Sequence, residues 1–313
     1  MANSKGRELD VNEVKTILNK ASSLGLKEVG FTGGEPFTRR KKLVSLLSYC
    51  RNDLSLRTHL HTNGTLLRQY DIPSIKMLVD EVSIPFLGIR PATHDRITAV
   101  AGSLKTAKHC LAMLLNNDLD VTAYIVPMKK NAREIPLIVK ETNMMGCLKF
   151  RILSLSPTGK ARNTFETLAL TSAEKERLED ELLRMRAELG VEIVAGFCSR
   201  QDFPSLGKLR GHQHCEAAEN RVHIDAFGNV FPCTASSGCD LFSAGNVCKH
   251  ELDLSQIWQF SPLFQLFRFL HRNPAEKCRD CLVYEGCKGG CRVVAHYLTG
   301  DIMATKPDCK SSR

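Results

Sequence analysis

No run of about 18 apolar residues occurs in the 313 residues of this chain, which argues against a membrane-spanning helix. The opening residues do not read as a charged-then-apolar leader either. Aromatic residues are scarce, 6% of the chain with a single tryptophan, and Trp258 reads as a core residue rather than a cofactor contact. No cysteine precedes Cys50, although the chain holds 13. That many cysteines without a secretory leader suit a reducing compartment, where clustered thiols bind metal more often than they pair as disulfides. A cytoplasmic protein is expected. The chain is long enough for one large domain, or one plus a smaller one, and its 43% apolar and 25% charged content is that of an ordinary globular protein.

Cysteine is instead concentrated in the last third. Cys215 is followed by Gly228-Asn229-Val230-Phe231-Pro232-Cys233, then by Cys278-x2-Cys281-x5-Cys287-x3-Cys291, and Cys309 closes the set. Two residues between thiols let both sulfurs wrap one ion or cluster. Five cysteines from 278 to 309 exceed the four of one tetrahedral site, so two centres sharing the segment are expected. By spacing alone, Cys278, Cys281, Cys287 and Cys291 could also make a single zinc site. A zinc-stabilised or cluster-stabilised binding module without catalysis is therefore the competing reading.

The net charge of +9 invites a nucleic-acid reading. Two [4Fe–4S] centres with four thiolates each would remove roughly four charges. The one dense basic run, Arg39-Arg40-Lys41-Lys42, reads as a solvated helix start. Nucleic acid is not favoured as a partner.

Along the chain, short β-rich runs alternate with helical patterns from residue 10 to about 194. Strands are predicted over 28–32, 57–61, 81–84, 121–126 and 149–153. Helices are predicted over 11–24 behind an Asp10 cap, 42–50, 103–117, 134–145 and 171–189. This rhythm implies a parallel sheet with helices outside, in the class of α/β barrels, whose chemistry sits at the C-terminal strand ends. The unusual loops fall there: Thr32-Gly33-Gly34-Glu35-Pro36, Thr62-Asn63-Gly64, Ser83-Ile84-Pro85, Asn131 and the 154–159 segment. Beyond Phe203-Pro204 the rhythm gives way to cysteines, glycines and hairpin signals, so a boundary is expected between 1–204 and 205–313.

The ordered set of Gly33-Gly34-Glu35-Pro36, Thr62-Asn63-Gly64-Thr65-Leu66, His94-Asp95, Gly102-Ser103, Pro157-x-Gly159-Lys160-Ala161 and Gly289-Gly290-Cys291-Arg292, with the seven cysteines, resembles radical S-adenosylmethionine enzymes carrying a SPASM domain. The resemblance covers nearly the whole chain. It implies a partial (β/α)6 barrel without its first strand, followed by a small cysteine-rich α+β SPASM iron–sulfur domain. It also implies a maturase that cleaves S-adenosylmethionine reductively and abstracts hydrogen from a peptide or protein substrate. An electron donor such as a flavodoxin or ferredoxin would serve it. Gly33, Gly34, Glu35 and Pro36 would hold the cofactor, with Ser83 reaching its ribose or carboxylate. The physical reading agrees: two glycines let the backbone approach a ligand, and Glu35 offers an acceptor to an ammonium. A tight loop with a surface glutamate is the plain alternative.

For the two auxiliary [4Fe–4S] clusters, the resemblance assigns Cys278, Cys281, Cys287 and Cys309 to the distal one. Cys215, Cys233 and Cys291 go to the nearer, with Cys198, Cys239, Cys248, His212 or His214, or an open iron position, left for its fourth ligand. Cys50, Cys110 and Cys147 read as packing residues. Family members hold their catalytic cluster with three cysteines before the Gly-Gly-Glu-Pro strand, and this chain has none there. The expectation is a chain that begins just after that motif and is inactive alone, or else a degenerate paralogue.

Overall fold

The computed structural model describes residues 6–195, 215–251, 253–281 and 284–305. Contacts divide them into two compact units. One comprises residues up to Gly25, Ser156–Phe165 and the cysteine-rich segment from Cys215 onward; the other holds Leu26–Leu155 and Glu166 onward to Ala195.

The second unit is a six-stranded, wholly parallel sheet in sequential order: β1 (Glu28–Phe31), β2 (Arg57–His61), β3 (Glu81–Pro85), β4 (Val121–Ile125), β5 (Lys149–Ile152) and β6 (Glu192–Ala195). Between strands run α2 (Arg40–Ser48), α3 (Ile72–Leu78), α4 (Pro91–Thr98), α5 (Ser103–Leu115), α6 (Ile135–Met144), α7 (Phe165–Leu168) and α8 (Ser172–Leu189), while α1 (Val11–Ser23) precedes β1. Four of these elements, α3, α4, α7 and β6, go beyond the sequence expectations. Helices α3 and α4 carry proline in their first turn, where its missing N–H costs nothing, yet proline in a sequence reads as punctuation.

Side chains alternate across each strand, and the two faces of this sheet differ in chemistry. Leu60, Val82, Ile84, Ala123, Ile125, Phe150, Ile152 and Ile193 lie on one face, all almost completely buried. Burying each large one fully contributes about 1.5–3 kcal/mol. The opposite face carries His59, His61, Glu81, Ser83, Thr122, Tyr124, Lys149 and Arg151. Strand register sets His61, Ser83, Thr122 and Lys149 side by side, with Tyr124 beside Arg151 in the next row.

In the first unit, α1 starts with a capping box. Asp10 Oδ1 accepts from the Asn12 and Glu13 N–H groups, and Glu13 accepts from the Asp10 N–H at 2.7 Å. Its entry is tied to the cysteine-rich segment: the Leu9 N–H donates to the Ala226 carbonyl at 2.8 Å. A small antiparallel sheet follows, β7 (His223–Ile224), β8 (Asn229–Phe231) and β9 (Gly245–Asn246), turning at Gly228, which stands at φ 83°. Phe242, Phe264 and Phe267 fill its core, with Phe242 and Phe267 edge to face at 6.3 Å.

Candidate active site and cluster-binding residues

Loops at the C-terminal strand ends are stitched together in pairs. Glu35 follows β1; its carboxylate accepts from the Thr62 hydroxyl at 2.7 Å, the Asn63 N–H at 2.8 Å and the Phe37 N–H at 3.2 Å. Thr62 in turn accepts from the Gly64 N–H at 3.0 Å. Gly64 has φ 74°, and a Cβ there would lie 2.8 Å from the Cys110 sulfur, so the Thr-Asn-Gly motif allows no larger residue at its end. Asn131 and Glu134 do the same one pair of strands further on. The Asn131 amide donates to the Leu87 and Val126 carbonyls, while Glu134 accepts from the Ile89 N–H, the Thr93 hydroxyl and the Arg90 guanidinium.

Glu35 is therefore first a brace. Three of the roughly four lone-pair positions of a carboxylate are used by these loops, which leaves one for a further donor. Gly33 stands at φ 135°, a conformation only glycine adopts readily, and a Cβ on Gly33 or Gly34 would meet nothing within 4 Å. Pro36 opens the short 3-10 turn Pro36–Arg39 behind them. Ser83 is 3% exposed on β3, and its hydroxyl has no hydrogen-bond partner among the described residues. The space beside Gly33 and Gly34, the spare capacity of Glu35 and the Ser83 hydroxyl together suit a small polar ligand.

Three residues missed by the sequence reading share the polar face with Ser83. The His61 and Tyr124 rings meet edge to face at 6.4 Å. Burial first, and then the Arg151 charge, lowers the His61 pKa, so its ring is held neutral. Burial and the Glu35 charge raise the Tyr124 pKa. Alternation within each strand puts them on that face, but only inter-strand register brings them beside Ser83. Lower on the same face, His59 lies 3.3 Å from Glu28 and 3.8 Å from Glu81, and Lys149 pairs with Asp120. The strand-start layer is thus internally charge-compensated, whereas no carboxylate pairs with Arg151 among the described residues. His94, Asp95 and Ser103 are structural: Asp95 accepts from the Gly102 and Leu104 N–H groups and the Ser103 hydroxyl, fastening the start of α5.

Among the cysteines of the first unit, Cys233 and Cys291 come within electrostatic range of Cys215. Burial and the nearby Cys291 and Cys233 sulfurs push the Cys215 thiol up to about 12, while Arg292 opposes the shift. Cys233 follows β8, and its N–H donates to the Ser236 hydroxyl at 3.3 Å. Cys291 is the N-cap residue of the helix Arg292–Thr299. Successive backbone bonds from the Cys281 N–H to Cys278 and from the Tyr284 N–H to Cys281 wind the CxxC segment, and the Gly290 N–H donates to the Cys287 carbonyl. Cys239 lies beside Tyr297, and exposed Cys248 within electrostatic range of Arg7. Cys198, His212, His214 and Cys309 lie outside the described residues.

No three Cys, His, Asp or Glu side chains among the described residues close tightly around a single point. Three part-buried thiols, two of them in electrostatic range of the third, suit instead a polynuclear iron centre, whose positive irons would favour their ionised form. The donor set fits such a cluster.

The profile of the radical SAM superfamily matches residues 1–142, and that of SPASM, an iron–sulfur cluster-binding domain, matches residues 215–282. The chain belongs to the radical SAM superfamily and carries a SPASM domain. Curated relatives include a PqqA peptide cyclase from Gluconobacter oxydans, 29% identical over 98% of this chain and 84% of the relative. An AdoMet-dependent heme synthase from Methanosarcina barkeri is 26% identical over 96% and 87%. Among solved structures, Streptococcus suis SuiB bound to its precursor peptide SuiA superposes with a TM-score of 0.78 at 18% identity, over 99% of this chain and 71% of SuiB, which establishes the shared radical SAM/SPASM fold. The [4Fe–4S] centres and S-adenosylmethionine expected from the sequence are those this family uses.

Proposed function

We propose that this radical SAM/SPASM chain serves in the modification of a peptide or protein substrate. The observation that carries the reading is the likeness to a peptide cyclase along 98% of the chain, including both the radical SAM and SPASM regions. When bound beside an iron–sulfur centre, S-adenosylmethionine supplies the radical chemistry of this superfamily. In this reading Glu35 accepts from its ammonium, Gly33, Gly34 and Pro36 leave it room, and Ser83 donates to its ribose or carboxylate. His61, Tyr124 and Arg151 face the substrate side. Residues 1–204 form the cofactor-binding part, and 205–313 the cluster-binding part, to whose packing α1 contributes. Cys278, Cys281, Cys287 and Cys309 hold one cluster, and Cys215, Cys233 and Cys291 the other. The working compartment is the cytoplasm, with a flavodoxin or ferredoxin as electron donor; no helix among the described residues is long and apolar enough to cross a membrane.

The test is chromatography for 5′-deoxyadenosine under dithionite. These 313 residues contain no three-cysteine set before the Gly33–Pro36 loop, so the chain as written is expected to give none above background. A chain extended at its N-terminus by a three-cysteine motif is expected to form it. Inactivity of such an extended protein would favour the non-catalytic binding module.

A further inference from the structure

Arg292 is one of the largest fully buried side chains in the chain, 1% exposed. Its Nη1 donates to the Met303 and Ala304 carbonyls at 3.3 and 3.0 Å, and its Nη2 to those of Leu270 and Lys288 at 3.4 Å. All four acceptors are neutral, and the buried Nε has no hydrogen-bond partner. A Cβ on Gly289 would lie 2.7 Å from Nη2, so the glycine at φ 76° keeps room for the guanidinium. A buried full charge normally requires an opposite one, because desolvating it alone costs several kcal/mol. No carboxylate is paired with Arg292 among the described residues. It is, however, next in sequence to Cys291 and within electrostatic reach of Cys215.

We propose that Arg292 is the buried counter-cation of the cluster held by Cys215, Cys233 and Cys291, and that its charge sets that cluster's reduction potential. The proposal rests on the cluster-binding reading of these cysteines. An iron–sulfur cluster ligated by thiolates is anionic and gains one more negative charge on one-electron reduction. A fixed cation nearby stabilises the reduced form more than the oxidised one and so raises the potential. Arginine suits the place because it does not lose its proton when buried. Its four carbonyl bonds hold it still, which makes it a positioning residue with a fixed charge.

The experiment is potentiometric titration of the anaerobically reconstituted chain, followed by electron paramagnetic resonance, with iron counted in each sample. Arg292→Met is expected to shift one of the two cluster signals at least tenfold toward the oxidised form, about 59 mV more negative for one electron. The other signal should stay in place, and Arg292→Lys should remain near wild type. If Arg292→Met instead loses about half the iron while Arg292→Lys keeps both the iron and the wild-type potential, the charge is still what the site requires. Unaltered potentials in an iron-replete Arg292→Met protein would overturn the proposal. Equal loss of one cluster in the Met and Lys variants would also overturn it, by assigning the fork geometry rather than the charge. Wild-type protein that takes up no iron would reject the cluster reading itself.

Discussion

Buried cysteines occur in both units, and burial does not tell them apart. Cys50, Cys110 and Cys147 lie in the sheet-and-helix unit, each at most 1% exposed, and burial pushes Cys50 and Cys110 up to about 12. Cys215 reaches about the same value in the cysteine-rich unit. What differs is company. Around Cys50 burial alone acts, and the Cys147 thiol donates to backbone carbonyls; Cys215 has two further sulfurs and an arginine within electrostatic reach. A thiol among apolar side chains behaves as a small hydrophobe, whereas a thiol among thiols invites a metal. The same residue type thus packs in one region and, in the function proposed above, ligates a cluster in the other.

Iron content breaks or upholds that contrast most directly. Reconstituted wild type is expected to hold about seven to eight iron atoms, and Cys215→Ala about four. Cys50→Ala and Cys110→Ala should keep the full complement; a colorimetric iron assay separates the outcomes. Stoichiometric zinc in place of iron would reverse the assignment. Within the cysteine-rich unit, Cys281→Ala and Cys291→Ala should each abolish a different cluster signal although they lie in one short segment. Loss of the same signal from both would undo the interleaved ligand sets.

Packing effects come next. Phe264→Ala in the cysteine-rich core and Phe86→Ala behind the sheet, both 0% exposed, should each cost about 3–5 kcal/mol in denaturant unfolding. Only the former should also reduce iron uptake. Glu35→Gln should cost about 1–3 kcal/mol, since it replaces one acceptor oxygen with an NH2 donor facing N–H and O–H donors, and should weaken S-adenosylmethionine binding in equilibrium dialysis.

The smallest effect is on acid stability. Burial lowers the pKa of His61, His94 and His223, so the folded chain resists their protonation and the unfolded chain does not. Their contribution is complete above the ordinary histidine value of about 6.5 and falls away as the pH drops toward the depressed folded values. His61→Gln should flatten part of that slope in urea unfolding between pH 7 and 5.

Much of the sheet was legible, because β2, β3 and β4 are short runs with alternating or β-branched apolar residues bounded by turn residues, and β2 begins and ends where the pattern predicts. Strand β6 was not, since a four-residue strand directly after the Gly190 helix stop leaves too little pattern to count. The Gly33–Pro36 loop and the cysteines stood out by composition. The bracing role of Glu35 did not, because its partners Thr62 and Asn63 are brought to it only by strand pairing. His61, Tyr124 and Arg151 were hidden for a related reason: each is unremarkable in its own strand, and only register sets them together.

The hydrogen bond from Leu9 to Ala226 has a consequence for the order of assembly. Each strand of the large sheet pairs with the one made just before it, so that sheet can grow as the chain emerges from the ribosome. The cysteine-rich unit must wait, because the segment that enters its first helix is fastened by a residue synthesised more than two hundred positions later. Iron would then be offered to thiols that gather only after synthesis is nearly over, which keeps reactive sulfur apart from metal while the barrel scaffold is still forming.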